Sequence, residues 1–123
     1  MEKIKYRVNV EIEVRLTDQD IDDIMCSALE GGIGYWCEKA VVVGGKYFGE
    51  YASEQISRGG SLMLHHEDGK NELTIKNLLK GIKRVIADGR LTVDDGRIDC
   101  GDVDGEIADM IVQYAIFDEL VYG

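Results

Sequence analysis

The sequence predicts a single α+β domain over residues 1–123, in which two to three helices pack on an antiparallel or mixed sheet of about four strands. The length of 123 residues is typical of one domain, and no linker, internal repeat or change of composition divides the chain. The predicted elements follow in the order strand, helix, strand, hairpin, helix, helix, so strands and helices are partly segregated. The regular alternation that a doubly wound fold requires is missing.

The first predicted element is a long strand over residues 3–16. Apolar side chains alternate there with polar or charged ones, and the apolar set is Ile4, Tyr6, Val8, Val10, Ile12, Val14 and Leu16. A period of two is typical of a strand that turns one face to a core and the other to water. Because the segment is longer than an average strand, we expect a bend or a paired neighbour along much of it.

A helix is predicted directly after this strand. Thr17 is a suitable N-cap, and aspartates fill the opening turns, where the helix dipole favours negative charge. Apolar residues then repeat with helical spacing at Ile21, Ile24, Met25, Ala28 and Leu29. Gly31 and Gly32 are expected to end the helix.

The middle of the chain predicts further strands. Residues 35–43 are rich in aromatic and β-branched side chains, which favours a strand. Residues 61–66 and 71–74 flank a turn that contains Asp68 and Gly69, the pattern of a β-hairpin. The stretch 44–60, which contains several glycines, is either a short helix or a loop.

The last part of the chain predicts two more helices. Apolar residues between positions 75 and 86 keep helical spacing, and Gly89 is the expected stop of that helix. Residues 90–101 are polar and rich in aspartate, so we expect irregular structure there. Asp102 is a candidate N-cap for the final helix, and the tail 117–122 is either a helical extension or a closing strand.

Charge and composition narrow the class of protein. The formal net charge is −10, and most of it lies in residues 88–123, which carry 10 acids against 2 bases. Such acidity repels a phosphate backbone, so we expect no direct binding to nucleic acid; it suits a basic groove on another protein, or simply keeps the chain soluble. Three widely spaced cysteines fit reduced thiols, and no apolar run is long enough to cross a membrane. We therefore expect a cytoplasmic protein.

The main candidate site is a group of aspartates in the acidic region: Asp94, Asp95, Asp99, Asp102 and Asp104. Carboxylates spaced along a loop can imitate a row of phosphates and bind in a nucleic-acid channel of another protein. The alternative is that they cap a helix start and hydrate a loop. Calcium is disfavoured because Cys100 and Ile111 fall on EF-hand ligand positions, and zinc because close cysteine pairs are missing. We expect no metal, no cofactor and, without a catalytic constellation, no enzyme.

A second candidate site combines basic and aromatic side chains. Lys76, Lys80, Lys83 and Arg84 form a basic stripe on the predicted second helix. The stripe either binds phosphates or an acidic partner, or is a hydrated face that pairs with acids of the same chain. If the protein binds a nucleotide, the candidate ligand-binding residues are Trp36, Tyr51, Lys80 and Arg84. Core packing is the competing explanation for Trp36.

Three stretches of the sequence carry a resemblance to known proteins. They are LTDQDIDDIMCSALEGGIGYWC at 16–37, GEYASEQISRGGSLML at 49–64 and ADMIVQYAIFDELVYG at 108–123. Together they resemble a group of small proteins encoded by phages and prophages of Gram-positive bacteria. The resemblance implies an accessory factor that neutralises host immunity, as anti-CRISPR proteins do, and it transfers no catalytic residue.

These observations predict a non-enzymatic phage accessory protein in the host cytoplasm. Its expected partner is a host defence protein, for example a CRISPR nuclease, which it binds and inhibits through the acidic surface. Two alternatives stay open. One is a protein that sequesters a nucleotide immune signal; the other is a structural or self-assembling phage protein, for which a homo-oligomer is expected.

Overall fold

The computed structural model of the protein describes residues 2–123. The helices within these residues are α1 (Asp18–Ser27), α2 (Ile75–Ala87) and α3 (Gly105–Phe117). The strands are β1 (Lys39–Val42), β2 (Leu62–His66), β3 (Gly69–Leu73), β4 (Val93–Asp94) and β5 (Arg97–Ile98). A π-helical turn at Ala28–Gly32 extends α1, and 3₁₀ turns lie at Ala52–Glu54 and Cys100–Asp102. The predicted α+β class, with antiparallel pairing and helices packed on the sheet, is confirmed.

The larger sheet is antiparallel and has the strand order β1-β2-β3. Its central strand carries Leu62 and Leu64 into the core, where both are fully buried. The predicted hairpin is confirmed in β2 and β3, because His66 pairs with Gly69 at its end. Glu67 and Asp68 therefore form the turn, one residue earlier than the sequence pattern indicated.

A second antiparallel pair, β4 and β5, lies within residues 90–101, where irregular structure was expected. Val93 pairs with Ile98, and Asp95 and Gly96 form the turn beyond the last pair. Both turn residues have positive φ, 51° and 72°, which suits a tight hairpin turn. Strands of 2 residues are too short for alternation to reveal, and this is why the sequence pattern did not indicate them.

One hydrophobic core joins the helices to the larger sheet. Helices α2 and α3 approach closely because Gly81 has no side chain; a Cβ there would collide with the Ile111 carbonyl group. A Cβ on Gly32 would likewise lie 2.6 Å from the Gly105 carbonyl oxygen, so the end of the π-helical turn packs tightly on the start of α3. The predicted apolar faces of the first two helices are confirmed by the burial of Ile21, Ile24, Met25, Ala28, Leu78, Ile82 and Val85.

The predicted first strand, residues 3–16, is not a strand of either sheet. The segment has no regular secondary structure, and its apolar side chains from Ile4 to Ile12 stay in water: Tyr6 is 87% exposed and Val8 is 85% exposed. Within the described chain, its backbone is held at one end, where the Arg15 N–H donates to the Gly96 carbonyl oxygen at 2.7 Å. An alternating pattern makes a strand only when an edge is available to pair with, and here the ladder is built from β1, β2 and β3 instead.

Several element boundaries also differ from the expected ones. The strand predicted at 35–43 is restricted to β1, because Gly34 to Trp36 form a turn and the two residues after it have no regular structure. The undecided stretch 44–60 is a loop with one 3₁₀ turn. Asp104, and not Asp102, is the N-cap of α3. The tail is neither helix nor strand, since Asp118 adopts a left-handed conformation with φ 61° and ends the helix.

Candidate functional site

The five predicted aspartates lie on one continuous stretch between α2 and α3. All five are exposed, and they are Asp94, Asp95, Asp99, Asp102 and Asp104. Asp94 ends β4, Asp95 lies in the following turn, and Asp102 ends a 3₁₀ turn. The stretch therefore displays carboxylates from short, sharply turning elements and not from one regular helix or strand.

Two of these aspartates also stabilise the local backbone. The Asp99 Oδ1 atom accepts a hydrogen bond from the Gly101 N–H at 2.8 Å. The Asp104 Oδ1 atom accepts from the Ile107 N–H at 2.9 Å and so caps α3. The capping explanation thus applies to Asp99 and Asp104, whereas Asp94 and Asp102 show no such side-chain bond among residues 2–123.

The five carboxylates are not neutralised by bases of the described chain. The ion pairs found there join Lys80 to Asp118, Arg84 to Asp88, and Arg97 to Asp20. Arg97 lies opposite Asp94 in the β4–β5 register, yet its guanidinium donates to the Asp20 Oδ2 atom at 2.9 Å. The negative charge of the stretch is consequently left facing solvent.

Asp20 connects α1 to this acidic stretch. Burial opposes its ionisation, but hydrogen bonds from the Thr17 backbone and Cys100, with the charge of Arg97, lower the pKa of Asp20 below its usual value. The Cys100 thiol lies 3.5 Å from the Asp20 Oδ1 atom. Its own burial, followed by the charges of Asp20, Asp23 and Asp99, raises the pKa of Cys100 to about 12. Cys100 therefore stays a protonated thiol and is a poor nucleophile.

The same stretch holds the end of the N-terminal residues. The Arg15 guanidinium donates to the Asp95 carbonyl oxygen at 2.8 Å, beside the backbone bond from Arg15 to Gly96. Val14 and Leu16 pack against the core at this point. The exposed residues that precede Val14 therefore leave the domain next to the β4–β5 turn.

The four residues of the second candidate site do not line one pocket. Lys80 and Arg84 line an open depression of about 300 Å³ together with Tyr114, over whose ring the Arg84 guanidinium lies at 4.8 Å. Trp36 is buried with 6% exposure and borders a different depression. Tyr51 is 63% exposed on the loop before a 3₁₀ turn. The structure thus supports core packing for Trp36.

An aromatic and polar cluster around Trp36 was not indicated by the sequence pattern. The Trp36 ring stacks on Tyr122, with centroids 5.3 Å apart, and its Nε1–H donates to the Asp109 Oδ1 atom at 2.7 Å. The Tyr35 hydroxyl donates to the second Asp109 oxygen at 2.5 Å. Partial burial and this carboxylate raise the pKa of Tyr35 to about 12. The cluster holds the turn after α1 against α3.

Gln113 ties the C-terminal tail into this cluster. Its side-chain oxygen accepts from the Val121 and Tyr122 N–H groups at 2.8 Å each, and its nitrogen donates to Asp109 at 2.9 Å. Asp109 and Gln113 lie one turn apart on the buried face of α3, whose other buried residues are apolar. This pair of polar residues, one helical turn apart, is the sequence signal that could have revealed the cluster.

Across residues 2–123, no three His, Cys, Asp or Glu side chains converge on a common point where a metal ion could bind. No helix there combines the length and apolar character needed to span a bilayer.

Comparison of the chain with protein families, with curated proteins and with solved structures finds no match.

Proposed function

We propose that this protein is a non-enzymatic accessory protein that binds a positively charged, nucleic-acid-binding groove of another protein and blocks it. The observation that carries the proposal is the row of five exposed aspartates without an intramolecular ion pair among the described residues. A groove lined by Lys and Arg would neutralise these carboxylates in place of the phosphates that it normally binds.

The overall charge supports the same mode of action. With a formal net charge of −10, the chain is attracted over long range to a basic groove, which speeds the encounter. Because screening by salt acts mainly on the encounter, association should slow steeply as ionic strength rises. A hydrophobic interface of the same size would show a weaker salt dependence.

The class of partner rests on the resemblance to phage-encoded proteins described above. Phage accessory proteins of this size commonly act on host immunity, so the proposed partner is a bacterial defence protein with a nucleic-acid groove, such as a CRISPR nuclease. The acidic surface is the reason for proposing a basic groove as the binding site. The resemblance is the reason for proposing that this groove belongs to a defence protein.

The test is inhibition of DNA cleavage by a purified CRISPR nuclease. The variant D94N/D95N/D102N removes three charges while sparing the two capping aspartates, and the matched control E30Q/E38Q/E50Q removes three exposed charges elsewhere. We expect the first variant to lose inhibition and the control to keep it, with circular dichroism unchanged in both. Equal inhibition by both variants would overturn the role of the aspartates.

A second candidate function follows from the depression at α2. Lys80 and Arg84 each have an acidic neighbour, Asp118 and Asp88, and Lys83 adds a further positive charge beside the Tyr114 ring. A nucleotide would bind here by its phosphate to these bases and by its base to the ring. Calorimetry with cyclic nucleotides tests this sequestration directly. Heat that disappears in the R84Q variant would favour sequestration over groove binding.

A further inference from the structure

Residues 4–14, the N-terminal segment, expose a row of apolar side chains to water. Ile4 is 81% exposed and Val10 is 75% exposed, and Tyr6, Val8 and Ile12 at the alternate positions are also exposed. Monomeric proteins normally avoid such a row of exposed apolar side chains beside unpaired backbone groups. They cover it, shorten it or interrupt it with charged residues. The segment has the pattern of a strand that lacks its neighbour.

The polar positions of the segment divide into a basic half and an acidic half. Lys5 and Arg7 precede Asn9, and Glu11 and Glu13 follow it. The charges therefore reverse sign about Asn9 at equal distances on either side. A strand with this property is complementary to a copy of itself that runs in the opposite direction.

Antiparallel pairing centred on Asn9 satisfies both faces of the segment. On the polar face it sets Lys5 opposite Glu13 and Arg7 opposite Glu11, each pair occurring twice through the two-fold symmetry. On the apolar face every cross-strand pair joins two apolar side chains: Ile4 with Val14, Tyr6 with Ile12, and Val8 with Val10. Opposite charges and apolar pairs in these positions stabilise a strand pair.

Other arrangements of two segments keep fewer opposite-charge pairs within residues 4–14. A parallel pair in register sets Arg7 opposite Arg7 and Glu11 opposite Glu11, and a shift by a single residue brings apolar side chains opposite charged ones. An antiparallel pair centred on Val8 keeps Lys5 opposite Glu11 but leaves Arg7 opposite Asn9. The charge pattern therefore favours the antiparallel direction, and cross-linking at position 9 distinguishes the register centred on Asn9 from the one centred on Val8.

We propose that the protein forms a two-fold symmetric dimer in which the N-terminal segments of two copies pair as antiparallel strands about Asn9. The segment leaves the domain at Arg15, which is fixed to the β4–β5 turn by bonds of 2.7 and 2.8 Å. Val14 already packs against the core, so the partner's Ile4, opposite Val14, extends that packed apolar surface. The dimer does not depend on groove binding by the acidic stretch.

Sedimentation equilibrium of the full chain tests the pairing by charge exchange. The variants K5E/R7E and E11K/E13K each convert all four ion pairs into like-charge pairs, and we expect each to weaken the dimer by at least about tenfold. The matched control K5E/R7E/E11K/E13K exchanges both halves and restores every opposite pair, so it should dimerise as tightly as the native chain. An equimolar mixture of the two double variants should form a heterodimer.

Two results of this experiment would overturn the proposal. One is a native chain that stays monomeric at every attainable concentration. The other is a native dimer whose affinity is unchanged in both double variants, since pairing would then lie elsewhere. The monomeric variants also separate this proposal from the proposed function. If they still inhibit a nuclease, inhibition does not require the dimer, and the evidence for the dimer is unchanged.

Disulfide cross-linking tests the register. In the N9C variant the two introduced thiols face each other at the two-fold axis, within the Cα separation of about 4.4–6.8 Å that a disulfide spans. In the E13C variant the two thiols lie about 27 Å apart along the strand pair. We expect oxidation to cross-link N9C and to leave E13C at the level of the native chain, whose cysteines are the reference. Equal cross-linking of both variants would indicate a parallel pair and overturn the register.

Discussion

At the scale of single residues, the most connected side chain is a buried carboxylate that the sequence pattern did not single out. Asp109 is 7% exposed and accepts hydrogen bonds from Tyr35, Trp36 and Gln113. Removing an acceptor from a buried network leaves its donors without partners. The resulting loss of folding free energy is larger than the net contribution of the hydrogen bonds to stability. Asp109 is therefore placed to hold the turn after α1 and the C-terminal tail against α3.

We expect D109A to lower the free energy of unfolding by about 2–4 kcal/mol, because the buried Trp36 Nε1–H loses its acceptor and the Gln113 side-chain nitrogen loses one of its acceptors. Urea denaturation followed by circular dichroism measures the change. The control is E106A, an exposed acid on the first turn of the same helix, which should change stability by less than about 0.5 kcal/mol. Equal losses in both variants would contradict the role of the buried network.

At the scale of elements, the helices and the β2–β3 hairpin were predicted well, whereas the strand predicted at 3–16 was wrong and β4 and β5 were missed. Thr17 and the aspartates after it mark the start of α1, and the apolar spacing before Gly89 marks α2, because caps and helical periodicity are local signals. A strand depends on a partner strand, which the pattern within one segment does not reveal. Residues 3–16 carry the clearest alternation in the chain and pair with no strand of the described domain, whereas β4 and β5 pair with almost no alternation.

Some features of the two candidate sites follow from the sequence, and others do not. The exposure of the five aspartates follows from charge alone, since unpaired carboxylates stay in water. The separation of Trp36 from Lys80 and Arg84 depends on packing between distant elements, which no local spacing encodes. The same holds for the bond from Arg97 to Asp20, which joins residues far apart in sequence.

The ion pair between Asp20 and Arg97 joins α1 to β5 and makes stability depend on pH. Because the folded pKa of Asp20 is lowered from 3.8, its charge stabilises the fold above that pH, and the contribution is lost as pH falls through the folded value. We expect D20N to be less stable than the native chain at neutral pH, and the difference to shrink below about pH 3.8. Urea denaturation at several pH values measures it. A difference independent of pH would mean that the charge of Asp20 contributes nothing.

At the scale of the whole molecule, the free energy of unfolding of the domain does not depend on its N-terminal segment. The segment buries little of its own surface within one copy, so it adds little to the stability of that copy. We expect deletion of residues 2–12 to leave helical circular dichroism and the urea midpoint unchanged at concentrations where the native chain is monomeric. Loss of folding on deletion would show that the segment packs on its own domain.

The stacking of Tyr122 on Trp36 has a practical consequence. Trp36 is the sole indole of the chain, so its intrinsic fluorescence reports whether the last residues are seated on the domain. Release of these residues would open the ring to water and move its emission to longer wavelength, long before the helices melt. A tag at the carboxyl end would follow Tyr122 by one residue, and a tag at the amino end would extend the segment around Asn9, so the position of a tag is a variable to control in both assays.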